Sequence, residues 1–205
     1  MSQSLLTPTA LRRASLDAVL GFAWEADALT ASDVIEHVGL TRSTAIDVVD
    51  ELVERGLLAE LPNARAVGEY QKGRPARRFA FREDSGYVVG LDAGRAHLTA
   101  TVADLRGAAR AVRHLAADAS HDSPEDRRRD AARVVDDALA AAGITRTDVV
   151  ALCVGVPAPV DRNGASPPHR DDFWRRMNPS FGDLFGEWAP IVRVENDASL
   201  AAVAE

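Results

Sequence analysis

Cysteine, aromatic residues and long apolar runs are what this chain has least of. One of its 205 residues is a cysteine, Cys153, so no internal disulfide can form; its setting in ALCVGV marks it as a buried small hydrophobe rather than a reactive thiol. No apolar run approaches the ~20 residues that a membrane-spanning helix needs. The polar start MSQSLLTPT lacks the features of a signal peptide, so the expectation is a cytoplasmic chain with no membrane partner. Aromatics make up 5% against 46% hydrophobic residues in all, which describes an alanine- and valine-rich protein long enough for one or two cores. His37, His97, His114, His121 and His169 show no metal-ligand spacing with Cys153, and no metal site is expected.

The formal net charge of −7 excludes indiscriminate nucleic-acid binding through the whole surface. The charge is unevenly spread, however. Arg65, Lys72, Arg74, Arg77, Arg78 and Arg82 stand in one stretch with Glu69 as its single acid, a basic strip in an acidic chain.

Just before that strip, residues 31–58 read ASDVIEHVGLTRSTAIDVVDELVERGLL and have the pattern of a helix-turn-helix. Val34, Ile35 and Val38 form one apolar face, Gly39 makes the turn, and a second helix opens at Thr41 with Ala45, Val48, Val49 and Leu52 at helical spacing. Gly56 stops it. This places Thr41, Arg42, Ser43 and Thr44 at an exposed helix N-terminus, where a major-groove reader carries its base-contacting side chains. An ordinary helical hairpin with a polar outer face would share the pattern. Upstream, Thr7 or Thr9 can cap a helix through Leu11, Leu16, Val19 and Leu20, and Ser32 is the expected cap of the next.

Leu57 and Leu58 begin an extended segment, residues 62–73 are polar and glycine-containing, and residues 77–81 alternate like a return strand, so a wing is expected. Arg74 and Arg77 are its candidate DNA contacts; Arg74-Pro75 resembles a rigid probe of a narrow, electronegative minor groove. A solvated loop would carry the same arginines.

The composition changes after Glu83, giving expected domains of residues 1–83 and 84–205. YVVGLD, HLTATVAD and ARAVRHL read as an antiparallel meander. Ser123-Pro124-Glu125-Asp126 starts a helix expected to end at Gly143, its EDRRRD segment reading as a solvated face. Residues 149–156 suit a strand buried on both faces, residues 157–188 an irregular stretch, and residues 190–195 a last strand before a helix at Asp197. The order is that of an α/β domain of the actin-like or ribonuclease-H-like kind.

With those elements in place the chain resembles the ROK family of repressors and sugar kinases, specifically its transcriptional-regulator branch. The resemblance rests on Gly73-Arg74-Pro75-Ala76, Gly90-Leu91-Asp92-Ala93-Gly94-Arg95, residues 155–161 (GVPAPVD) and Val194-Glu195-Asn196-Asp197-Ala198. It implies a winged helix-turn-helix followed by the first lobe of an ATPase-like domain, the chain ending before the second lobe and its zinc site. In the kinases an Asp-x-Gly-Gly-Thr turn wraps ATP phosphates. Here Asp92 and Gly94 match, while Arg95 and Ala96 replace the second glycine and the hydroxyl residue. The resemblance therefore implies no enzyme and no cofactor. Asn196 and Asp197 match sugar-binding positions and suit a polyol, although they can equally cap a helix.

The expected function is a DNA-binding regulator, a repressor of carbohydrate-metabolism genes acting as a homodimer on a double-stranded operator. A sugar or sugar phosphate in its second domain would control that binding. An ATP-dependent sugar kinase, or a truncated regulator without ligand sensing, are the alternatives.

Overall fold

The structure, a computed structural model, describes residues 7–62, 76–116, 123–168 and 170–204. It divides into two compact units, Met1–Ser85 and Gly86–Glu205.

In the first unit, Thr7 caps helix α1 (Pro8–Glu25) by accepting from the Ala10 N–H, and Pro8 occupies the first turn, where its missing N–H costs nothing. Strand β1 (Leu29–Thr30) leads directly into α2 (Ala31–Val38). The cap of α2 is Thr30, not Ser32: the Thr30 hydroxyl accepts from Asp33 N at 3.3 Å while the Asp33 carboxylate accepts from Thr30 N at 2.7 Å. Two orphan N–H groups are thereby satisfied by one reciprocal pair. Gly39 closes α2 at φ +77°, a left-handed conformation that favours glycine. Thr41 then caps α3 (Arg42–Glu54), and Gly56, at φ +74°, releases the chain into β2 (Leu58–Glu60).

Strand β3 (Arg78–Phe81) runs antiparallel to both β2 and β1, in the order β1-β3-β2. Leu16, Val19, Ala23, Leu29, Val34, Ala45, Val48, Val49, Leu52, Leu58 and Phe79 form one buried core beneath it. The inward faces of α1, α2 and α3 and the inward position of each strand therefore converge on the same apolar volume.

The second unit is built on a mixed five-stranded sheet in the order β6-β5-β4-β7-β8. Strands β4 (Tyr87–Asp92), β5 (His97–Asp104) and β6 (Ala109–Ala116) form an antiparallel meander; β7 (Val149–Val156) and β8 (Ile191–Asn196) extend β4 in parallel. Ser123 caps α4 (Pro124–Ala142), which ends at left-handed Gly143 and buries Ala131, Val134, Val135, Ala138 and Leu139 in the same core as the β5 and β7 side chains. Helix α7 (Asp197–Ala204) follows β8 without a loop. No described helix is long and apolar enough to cross a membrane.

Besides the α2 cap, three further expectations are corrected here. The stretch read as irregular contains α5 (Phe173–Met177) and α6 (Phe181–Phe185), whose Met177, Phe181 and Phe185 are buried at a spacing of four. Strand β7 is not covered on both faces: Val150 is exposed, and Ala151 and Cys153 are only half-buried. The solvated face read into EDRRRD contains a buried arginine, Arg127, described below.

Candidate nucleic-acid interface and ligand cleft

In the first unit, the inward period of α3 leaves Arg42, Ser43, Ile46 and Asp47 on its outer face, all exposed. The Thr41 hydroxyl accepts from Thr44 N at 3.4 Å and lies 2.9 Å from Thr44 Oγ1 and 3.3 Å from Ser43 Oγ, so the hydroxyls at the helix start are ordered among themselves. The remaining N–H groups of the first turn and the positive dipole end lie beside exposed Arg42, an arrangement suited to an anionic backbone.

Two acids of α3, Glu51 and Asp50, are paired with arginines of the same unit. Arg12 of α1 donates to Glu51 and to the Asp47 carbonyl, and Arg55 also pairs with Glu51. The Arg12 hydrogen bond, joined by that of Arg55, outweighs partial desolvation and holds the Glu51 carboxyl below its ordinary range. Arg77 spans Glu60 of β2, at 3.0 and 2.8 Å, and Asp50 of α3, at 2.8 Å, with its guanidinium 4.9 Å from the Phe79 ring centroid. Its pKa rises, first through Glu60 and then through Asp50, and the Glu60 carboxyl is lowered in return. Arg77 thus braces strands to helix. Arg74, Arg65 and Lys72 lie outside the described residues, as do residues 63–75 as a whole.

In the second unit, β4 ends at Asp92 beside a cleft of about 930 Å³, bordered by Gly94, His97, Thr99, Cys153, Gly155 and Asp197 among others. Ala93 N donates to Gly155 O at 2.8 Å, tying the turn to β7. The Arg127 guanidinium, 7% exposed, donates to Ala93 O at 2.5 Å, Gly94 O at 2.9 Å and Met177 O at 3.3 Å. Its neighbour Arg128 donates to Pro179 O and Ser180 O at 2.7 and 2.6 Å. Sequence reasoning missed this clamp, although Arg127 falls four residues before Ala131 on the buried stripe of α4; the helical period alone pointed it inward.

His97 was likewise not singled out. Its Nε2 lies 2.7 Å from Asp92 Oδ2, and its ring covers Gly94 so closely that a Cβ there would stand 2.3 Å from His97 Cε1. Arg95 turns its guanidinium towards the Phe173 ring, 5.9 Å from its centroid. Asn196 caps α7: its Oδ1 accepts from Ser199 N at 3.1 Å while its Nδ2 donates to Ala158 O at 3.2 Å. Asp197 borders the cleft, and Ala158 is buried. Cys153 is a half-buried cleft wall rather than a core residue, its thiol pushed up by burial and then by Glu195.

The architecture is that of an α/β protein with a mixed sheet, joined in sequence to a small helical unit. Over 89% of its length, and 46% of the other chain, it is similar to the crystal structure of a ROK family transcriptional regulator, a homolog of the E. coli MLC protein, with 17% identity and a TM-score of 0.57. The chain spans about half the length of that solved structure. YeaZ from Pseudomonas aeruginosa aligns with 58% of the chain and 48% of its own at 17% identity, with a TM-score of 0.37. No family model and no curated protein matches this sequence.

Proposed function

We propose that this chain is a DNA-binding transcriptional regulator of the ROK kind: a winged helix-turn-helix binds an operator, and the second unit, the first lobe of an actin-like domain, takes a sugar or sugar phosphate in its cleft. The observation that carries the reading is the outer face of α3. A left-handed glycine turn is followed by a capped helix whose first exposed side chains are Arg42 and Ser43, and an antiparallel strand pair comes next in the chain. Thr41, Arg42, Ser43 and Thr44 take the base and phosphate contacts, and Arg74 the adjacent groove. Arg77 acts through α3, because its donors are committed to Asp50 and Glu60.

In the cleft, Asp197 is the sugar contact; Asn196 shapes the wall by capping α7. A non-enzymatic role is supported by Arg95 and Ala96 standing where the kinase turn has its second glycine and hydroxyl residue, and by the His97 ring packed over Gly94. Two copies on a two-fold operator supply the sequence length that one recognition helix cannot read.

The test is selection of duplexes from a random library by the full chain, followed by titration at several salt concentrations. Enrichment of one sequence family is expected, with Arg42→Ala costing about 1–3 kcal/mol and relaxing preference at one position. Absence of any enriched sequence, with ATP-dependent phosphorylation of a hexose that Asp197→Asn abolishes, would overturn the reading in favour of a kinase.

A further inference from the structure

We propose that Ile46 reads a thymine by its 5-methyl group; the inference rests on the DNA-binding reading of α3. Every other large aliphatic side chain of α3 is placed for the core or its margin. Val48, Val49 and Leu52 are at most 2% exposed, whereas Ile46 is 39% exposed on the outer face. It is one turn beyond Arg42, on the same ridge, and next to Asp47. A β-branched residue there adds nothing to helix propensity and leaves apolar surface in water. Its exposure is resolved if a partner covers it.

The chemistry of that partner follows from its surroundings. Ile46 offers neither donor nor acceptor, so it can discriminate a base edge only through apolar contact, and in the major groove the thymine methyl is the apolar group presented. Arg42, at the positively polarised end of the same helix, draws the ridge against an anionic duplex, while Arg77 and Arg12 neutralise the flanking Asp50 and Glu51. A rise of about 1.5 Å per residue puts Ile46 roughly 6 Å along the axis from Arg42, about two base steps at ~3.4 Å each. The thymine should therefore lie within about two steps of the base that Arg42 contacts. On its inner side Ile46 borders a small cavity of about 250 Å³ that Ile35, Val49 and Phe79 share with Arg42, Asp50 and Arg77.

The experiment uses the duplex selected by the full chain, with each thymine replaced singly by deoxyuridine, which removes the methyl and nothing else. For the unaltered protein one such replacement in each half-site should weaken binding about fourfold, the worth of one buried methyl. In Ile46→Ala the thymine and uracil duplexes should bind alike, and Ile46→Val should retain part of the preference. The uracil series on the unaltered protein needs no variant to fold. Equal affinity for every thymine and uracil duplex overturns the proposal, as does a methyl preference that survives undiminished in Ile46→Ala. Failure to enrich any duplex overturns the DNA-binding reading and this inference with it, an outcome distinct from methyl-blind binding.

Discussion

Arg77 Nη1 stands 2.8 Å from Asp50 Oδ1, so the residue just before β3 is bound to the second turn from the end of α3. All three groups of the Arg77, Asp50 and Glu60 set are roughly half exposed, so solvent screening leaves them little weight in overall stability. Arg77→Gln is therefore expected to fold, to bind the selected duplex more weakly through a less firmly held α3, and to leave the salt dependence of binding unchanged. A decrease of about one in the slope of log affinity against log salt would instead put Arg77 on a phosphate.

The arginine clamp of the second unit is a stronger constraint. Arg127→Met leaves the Ala93, Gly94 and Met177 carbonyls without their buried donor, and the expected loss is on the order of 3 kcal/mol in urea unfolding. Arg127→Lys should recover little, because a single ammonium cannot reproduce the planar fork that reaches separate carbonyls. The exposed Arg129 provides the control: Arg129→Met should change stability by less than about 0.5 kcal/mol.

Gly94 is the position where His97 demands a missing Cβ. Gly94→Ala places a methyl 2.3 Å from the ring, and since that ring ends a partly exposed side chain, it should rotate away rather than unfold the unit. The expected result is stability within about 1 kcal/mol of the parent, with His97 ring resonances that no longer respond to Asp92→Asn. A ring still coupled to Asp92 would show that the backbone yields instead.

Asp104 joins the turn between β5 and β6. Its side chain is buried, Oδ1 accepts from Arg106 N at 2.9 Å and Ala108 N at 3.0 Å, and Oδ2 is 2.8 Å from Arg110. Burial pushes its pKa up, but the two backbone donors and Arg110 together outweigh it, so the carboxyl ends below its ordinary 3.8. A lowered folded pKa contributes stability that is present above 3.8 and is lost as pH falls through the folded value. Asp104→Asn should accordingly be about 1–3 kcal/mol less stable near neutral pH, and the gap should close as the pH drops below 3.8. Urea denaturation across that range measures it.

The elements themselves were legible in the chain because they follow from local patterns. Thr7, Thr41 and Ser123 cap helices where a hydroxyl precedes an apolar period, and Gly39, Gly56 and Gly143 end or follow them in the left-handed region. The meander and α4 stand where alternation and helical spacing put them. The cap at Thr30 and the two short helices around Met177 and Phe181 were missed: two hydroxyl residues compete within three positions in the first case, and the second offers barely one turn of period.

What a long polar side chain binds was not legible, and there the tertiary structure decided. Arg77 looked like a free wing cation and is held by acids 17 and 27 residues away; Arg127 looked solvated and reaches carbonyls 33, 34 and 50 residues away. Backbone propensity and hydrophobic period act over a few residues, so the sequence by itself determined the longer helices, the strands and the face that α3 turns outward. Hydrogen-bond and charge partners are set by which segments the core brings together, and only folding assigned Arg77 to Asp50, Arg127 to the Gly94 turn and His97 to Asp92.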